Sequence, residues 1–195
     1  MEKQLRQFNK YLDNHYVKGW DNLCREYGTL CSYKKGETFI ALGHTARYIG
    51  LIKSGAVKYV VYTSDGEERV INLETVGGYA ASFPFSLRGL PSIFSVVVNS
   101  DSEIYCLSVH KIMELSQQDE NIRDIINQTL EAVFYTIYER QVDFYALAPK
   151  ERYEQLLEKC PQLFEIFQLK DIASYLNITP THLSMLRKNK EKNIH

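Results

Sequence analysis

The sequence predicts an α+β chain in three parts: a small β-barrel or jelly roll with N-terminal helices over 1–118, a long helix over 119–146, and a small helical unit over 147–195. Three observations carry this. Glycines punctuate short apolar runs from about Tyr33 to Val109, and at Asp119 the pattern turns helical and stays so. Near the C-terminus, LKDIASYLNITPTHLSMLRK (Leu169 to Lys188) puts apolar residues where two short helices must cross.

In the first part, Gly36, Gly43, Gly50, Gly55, Gly66, Gly77 and Gly78 separate runs such as YIGLI, AVKYVVY, RVINL and FSVVV. The clearest hairpin runs from Val57 to Leu73, turning at Ser64-Asp65-Gly66, where Asp-Gly supplies the positive φ of a tight turn. Many short strands in so small a span predict a closed or double-layered sheet.

In the second part, Ile122, Ile125, Ile126, Leu130, Val133, Ile137 and Phe144 form one long stripe, broken at Leu147-Ala148-Pro149 because proline disfavours helix before it. The span exceeds the usual length of a globular helix. One barrel does not cover such a stripe along its whole length, so the helix is expected to pair with its copy in a homodimer through Ile122, Ile126, Val133 and Ile137. Packing on the barrel is the alternative, and different faces would serve both.

The third part opens with a helix from Lys150 to Cys160, entered at Pro149 and stopped at Pro161. Beyond it, Leu169, Ile172, Ala173 and Leu176 follow the helical period, Ile178 fills the corner, and Leu183 and Leu186 start a second stripe. Ala173 is small where the helices approach, and Asn177 tolerates a left-handed turn. Thr179 followed by Pro180 reads as a cap and a first helical residue. The outer face of the second helix carries Thr181, His182, Ser184, Arg187 and Lys188, which suit base edges and phosphates. A helical hairpin that merely closes a bundle is the plainer reading of the same pattern.

Composition excludes several classes. With 195 residues, 45% of them hydrophobic, the chain supports a packed core. No apolar run approaches a membrane span, and the charged, amphipathic start MEKQLRQFNKYLDNHY is not a signal peptide, so no membrane partner and a cytoplasmic location are expected. Cys24, Cys31, Cys106 and Cys160 form no C-x-x-C pair and the five histidines are dispersed, so neither a metal site nor a cofactor is signalled. The net charge of −1 is unevenly placed: Lys170, Arg187, Lys188, Lys190 and Lys192 against Asp171 and Glu191 leave the C-terminal segment at +3 and the rest at −4. A basic segment on an acidic body fits local phosphate binding to double-stranded DNA.

This order of elements resembles the Crp/Fnr family of bacterial transcription regulators over nearly the whole chain. The resemblance rests on YKKGETFIALG, YIGLIKSGAVKYVVYTSDGEERVINL and VGGY in the barrel, and on ERYEQLLEKCPQLF and LKDIASYLNITPTHLSMLRK at the C-terminal end. It implies a homodimer with paired long helices, a barrel that senses a small molecule, and a helix-turn-helix whose second helix enters the major groove at half of a near-palindromic site. It also implies a phosphate-binding cassette, here GGYAASFPFSLRGLPSIFSVVV. The family's glutamate is replaced by Tyr79 and its Arg-Ser or Arg-Thr pair by Ser92-Ile93, so the cassette is degenerate. Burying a cyclic phosphate without a cation costs several kcal/mol, and a cyclic nucleotide is not the expected effector.

An unidentified small-molecule effector is expected instead. The residues at hand for it are Tyr79, Ala80, Ala81, Phe83, Arg88 and Ser92, although Tyr79, Phe83 and Phe85 equally suit a core. Cys24 and Cys31 lack the number and spacing of the family's iron–sulfur branch, and a lone His44 or His110 does not establish a haem ligand. For DNA, the resemblance and spacing together point to Thr179, Thr181, His182, Ser184, Arg187 and Lys188, while Pro180, Thr181 and Met185 stand where family members carry guanine- and cytosine-reading residues. Ending at His195, the sequence leaves no room for a wing after the second helix. The alternative function is a ligand-sensing or dimerisation module that has lost DNA binding. A cupin-type enzyme is disfavoured because His44 and His110 are its only barrel histidines, and no catalytic residues stand out.

Overall fold

Valine, isoleucine and tyrosine fill the two longest strands, β3 (Tyr48–Tyr62) and β6 (Ser95–Ser108), which pair antiparallel from Tyr48↔Ser108 to Val60↔Ser95. The computed structural model describes residues 8–192, with side chains to Asn189; the ends of the expected first and third parts, and the side chains of Lys190 and Lys192, lie outside that range. Around this pair, β1 (Thr29–Tyr33), β2 (Thr38–Ile40), β4 (Glu68–Thr75) and β5 (Tyr79–Ala80) complete a six-stranded sheet of order β1-β6-β3-β4, with β2 on β6 and β5 on β3. Register shifts between Ile52 and Val57 bend β3 beside Gly55, whose φ of +86° and contact with the Asp101 and Ser102 backbone leave no room for a side chain. That bend curls the sheet into a jelly-roll-like body.

The sheet begins at Thr29, not Tyr33. β1 is mostly exposed or half-buried, so TLCSY lacks the alternation by which a strand is read. In the β3–β4 hairpin, Gly66 alone of the Asp65-Gly66 pair takes a left-handed backbone, with φ +82°.

Helices surround the sheet: a 3-10 turn (Lys10–Asp13), α1 (Gly19–Tyr27), α2 (Val109–Gln118), the long α3 (Glu120–Ala146), α4 (Pro149–Lys159), α5 (Leu163–Ile166), α6 (Leu169–Tyr175) and α7 (Pro180–Lys192). Asp119 caps α3 by accepting from the Asn121 backbone N–H at 2.9 Å. No helix among the described residues is long and apolar enough to cross a membrane.

The apolar stripe on α3 requires a correction. Ile122 is buried in a core with Trp20, Leu51, Leu107 and Ile112, and Ile125 and Ile126 pack against it. These residues hold α3 to its own sheet, so the pairing face expected at Ile122 and Ile126 is already occupied. Helical periodicity marks an apolar stripe without saying whose surface covers it. The outward face carries Phe134, Tyr135, Ile137, Tyr138, Val142 and Tyr145, so of the expected pairing residues Ile137 lies on it, and Tyr145 is 86% exposed.

A separate core joins Ala56, Val60, Val70 and Leu73 of β3 and β4 to Tyr153, Leu156, Leu163, Ile172 and Leu183 of the C-terminal helices. The helical unit therefore shares its interior with the sheet.

Candidate functional site

The outer face of α7 and a cavity between the sheet and α3 both combine positioned polar groups with accessible space. The first is set by α6, which lies on β4. The Val70 backbone N–H donates to Ser174 Oγ at 2.8 Å, and Lys58 Nζ reaches Asp171 Oδ1 at 3.1 Å. After α6 the chain turns through Asn177, whose φ of 53° is the left-handed backbone expected there, and Ile178 N–H returns to Ala173 O at 3.0 Å. Thr179 Oγ1 accepts from the His182 backbone N–H at 3.1 Å, and Pro180 opens α7.

This start fixes the rotation of α7. Leu183 is fully buried and Leu186 packs beside it, so Thr181, Ser184, Met185 and Lys188 face outward. Thr179 is exposed but spends its hydroxyl on the cap. His182 and Arg187 are half-buried at the edge of the face. Ser184 Oγ donates to Pro180 O at 3.0 Å, leaving its lone pairs outward. An open groove of about 340 Å³ separates this turn from the hairpin, lined by Glu68, Arg69, Lys170, Asp171, Thr179 and Pro180.

The cavity has a volume of about 410 Å³. Tyr11, Trp20, Tyr59, Tyr79, Phe83 and Phe94 give it an aromatic wall, and Thr129, Val133, Thr136, Ile137 and Arg140 of α3 close the opposite side. Of the six residues expected to meet an effector, it brings together Tyr79, Ala81 and Phe83. The other three lie off its lining. Ala80 is buried in its strand pairing with Gly50, Arg88 is exposed, and Ser92 turns its hydroxyl to Phe94 O at 2.7 Å. Val133 and Ile137, expected to contact a second copy, line this cavity, and Ile137 is at the same time 58% exposed.

Hydrogen bonds fix the wall. Tyr59 Oη donates to Tyr79 O at 2.7 Å and accepts from Ala81 N at 3.0 Å; Tyr79 Oη bonds Val17 O and Asp21. Trp20 Nε1 donates to Thr129 Oγ1 at 2.8 Å, tying α1 to α3. Arg140 donates to Ile71 O, Asn72 Oδ1 and Asn9 Oδ1 at 3.0–3.3 Å, and its guanidinium lies 5.7 Å from the Phe8 ring and 5.0 Å from that of Tyr175 on α6.

Glu74 is the buried acid of the cavity. Its Oε1 accepts from Tyr11 Oη at 2.8 Å and Asn72 Nδ2 at 3.0 Å, whereas Oε2 lies against Gly78 with no hydrogen-bond partner among the described residues. Burial raises its pKa to about 7, although these bonds and nearby Arg140 pull the other way. Glu74, Arg140, Tyr59 and Trp20 were not singled out by the sequence. Leu73, Glu74 and Thr75 are all buried, so the alternation that separates inner from outer residues on a strand is absent at this end of β4.

Residues 30–119 match the cyclic nucleotide-binding domain family. The cyclic nucleotide-binding-like region runs from β1 through α2 and contains most of the aromatic wall. No curated protein matches the chain in sequence. Among solved structures, FixK2 from Bradyrhizobium japonicum is 16% identical with a TM-score of 0.74, covering 85% of each chain. The c-di-GMP-responsive global regulator CLP of Xanthomonas campestris is 13% identical with a TM-score of 0.68, covering 90% of this chain and 92% of its own. A protein described as a transcriptional regulator of the Crp/Fnr family, from Eubacterium rectale, is 13% identical with a TM-score of 0.68, over 92% of this chain and 89% of its own. At these identities the likeness is one of fold, and coverage of 85–92% of the chain takes it beyond the cyclic nucleotide-binding-like region.

Proposed function

We propose that the chain is a dimeric, sequence-specific DNA-binding transcription regulator of Crp/Fnr type, with an effector in its cavity that is not a cyclic nucleotide. The outward face of α7 carries this reading: a capped helix held by Leu183 presents Thr181, Ser184, Met185 and Lys188 away from the core, in a chain with the fold of known regulators. Thr181, His182 and Ser184 read bases, and Arg187 and Lys188 pair with phosphates. Thr179 serves by capping the helix.

The dimer forms through the outer face of α3. Tyr135, Tyr138, Val142 and Tyr145 recur at three- and four-residue spacing, and Phe134 stacks on Tyr138 with centroids 5.8 Å apart. An exposed aromatic stripe of this length on a helix already anchored from behind fits a second copy. The dyad then sets two α7 helices against successive major-groove faces.

The cavity supports a ligand other than a cyclic nucleotide. Its lining cation, Arg140, is held by three carbonyl-type oxygens and two rings, and Arg88 lies outside it. Binding of purified protein to labelled genomic fragments, followed across a salt series, tests the DNA reading. Affinity is expected to fall steeply with salt as counterions are released. Absence of binding at low salt would instead favour a sensor module without DNA activity.

A further inference from the structure

We propose that the cavity takes a compact aromatic molecule without negative charge, which presents an N–H or O–H donor to the Glu74 carboxyl. This rests on the reading above only in treating the occupant as an effector; occupancy itself is independent of DNA.

The size and wall define the body of the ligand. About 410 Å³ lies in the range of small-molecule sites, and seven aromatic side chains around it, Phe144 of α3 included, favour flat, apolar rings over sugars.

The polar lining defines the head group by elimination. Tyr59, Tyr79, Trp20, Thr129, Thr136 and Asn9 each have their bonding atoms engaged by protein partners, Tyr11 and Asn72 donate to Glu74 itself, and Gln141 is an exposed side chain that meets solvent. Arg140 is committed to Ile71, Asn72 and Asn9 and packs beside the Phe8–Tyr175 ring pair, so an anion would have to break the contacts joining α3 to β4 and α6. Among the polar side chains lining the cavity, Glu74 alone has an oxygen recorded as buried and unpartnered among the described residues, and its whole side chain is 2% exposed. A donor completes this carboxyl, whereas an anion faces a group that is partly ionised near neutral pH.

The full chain, without DNA, is titrated by fluorine NMR with three probes of one shape: a fluoronaphthol, its methyl ether and the matching fluoronaphthoate. The naphthol is expected to bind at least about tenfold more tightly than the ether or the naphthoate, the difference a hydrogen bond to a charged or acidic group makes. Glu74→Gln, which places an amide N–H where an acceptor is needed, should weaken naphthol binding by about the same factor and leave ether binding unchanged. Val133→Trp, which fills the cavity from α3, should abolish binding of all three. If Glu74→Gln shows no cooperative unfolding transition, the naphthol-to-ether ratio on the unaltered chain decides. Naphthoate binding as tight as naphthol, naphthol affinity unchanged in a folded Glu74→Gln, or no binding of any probe overturns the proposal. Loss of DNA binding with naphthol binding intact would count against the regulator reading alone.

Discussion

Lys58 on β3 and Asp171 on α6 form an ion pair at 3.1 Å, with side chains only 12% and 5% exposed, across the seam between the sheet and the C-terminal helices. Glu68 closes on the same ammonium at 2.6 Å. Burial pulls the Lys58 pKa down, but the two carboxylates outweigh it and leave the pKa raised. Replacing Lys58 by Met strands Asp171 as an uncompensated buried charge. The expected cost is about 3 kcal/mol of stability, read from the urea midpoint, with a smaller loss for Asp171→Asn because Lys58 keeps Glu68. Equal, negligible losses would mean that the seam does not depend on this pair.

The Glu74 carboxyl predicts a pH dependence of stability. Tyr11, Asn72, Asn9, Arg140, Tyr59 and Tyr175 act on it, and burial raises its folded pKa to about 7, above the value of about 4.3 in an unfolded chain. Between those two values the folded state binds the proton more tightly. Its contribution is therefore fully present below about pH 4.3 and is lost as pH rises through about 7, amounting to about 4 kcal/mol at most. Denaturant unfolding at pH 5 and pH 7.5 should show the native chain losing stability relative to Glu74→Gln. A parallel pH response of the two proteins would show that Glu74 is ionised in the fold at both pH values.

The two faces of α3 separate by mutation. Tyr138→Glu, on the exposed aromatic face, should convert the proposed dimer to folded monomers in light scattering, because it would place like charges opposite each other across the proposed dyad. Ile122→Glu, inside the core, should instead unfold the protein by burying a lone carboxylate. A dimer that survives Tyr138→Glu would locate the interface elsewhere.

The proposed DNA contacts of α7 are expected to divide by role. Lys188→Ala and Arg187→Ala should weaken binding to every DNA sequence and each lower the salt slope by about one. Thr181→Ala and Ser184→Ala should change which sites are preferred while leaving the slope intact, as measured by selection from a randomised library. Identical behaviour of all four variants would contradict the division.

What was legible in the sequence follows from which signals are local. The turn at Asn177, the cap at Thr179 and the start at Pro180 depend on neighbours within four residues, and each stands where the spacing put it. Gly66 marked its hairpin for the same reason. The cavity was legible only in part. Tyr79, Ala81 and Phe83 come from one glycine-rich stretch, but Glu74, Trp20 and Arg140 reach it from β4, α1 and α3, and only tertiary packing brings them together. The stripe on α3 failed differently: its existence was local, while the identity of the surface covering Ile122 was not.

Selection of bound fragments from a sheared bacterial genomic library by the purified chain at low salt is the decisive test of DNA recognition. Near-palindromic sites with half-sites about one helical turn apart should be enriched, and the enrichment should be lost in Lys188→Ala and in Tyr138→Glu. A folded, dimeric protein that enriches no sequence at any salt concentration would contradict that recognition.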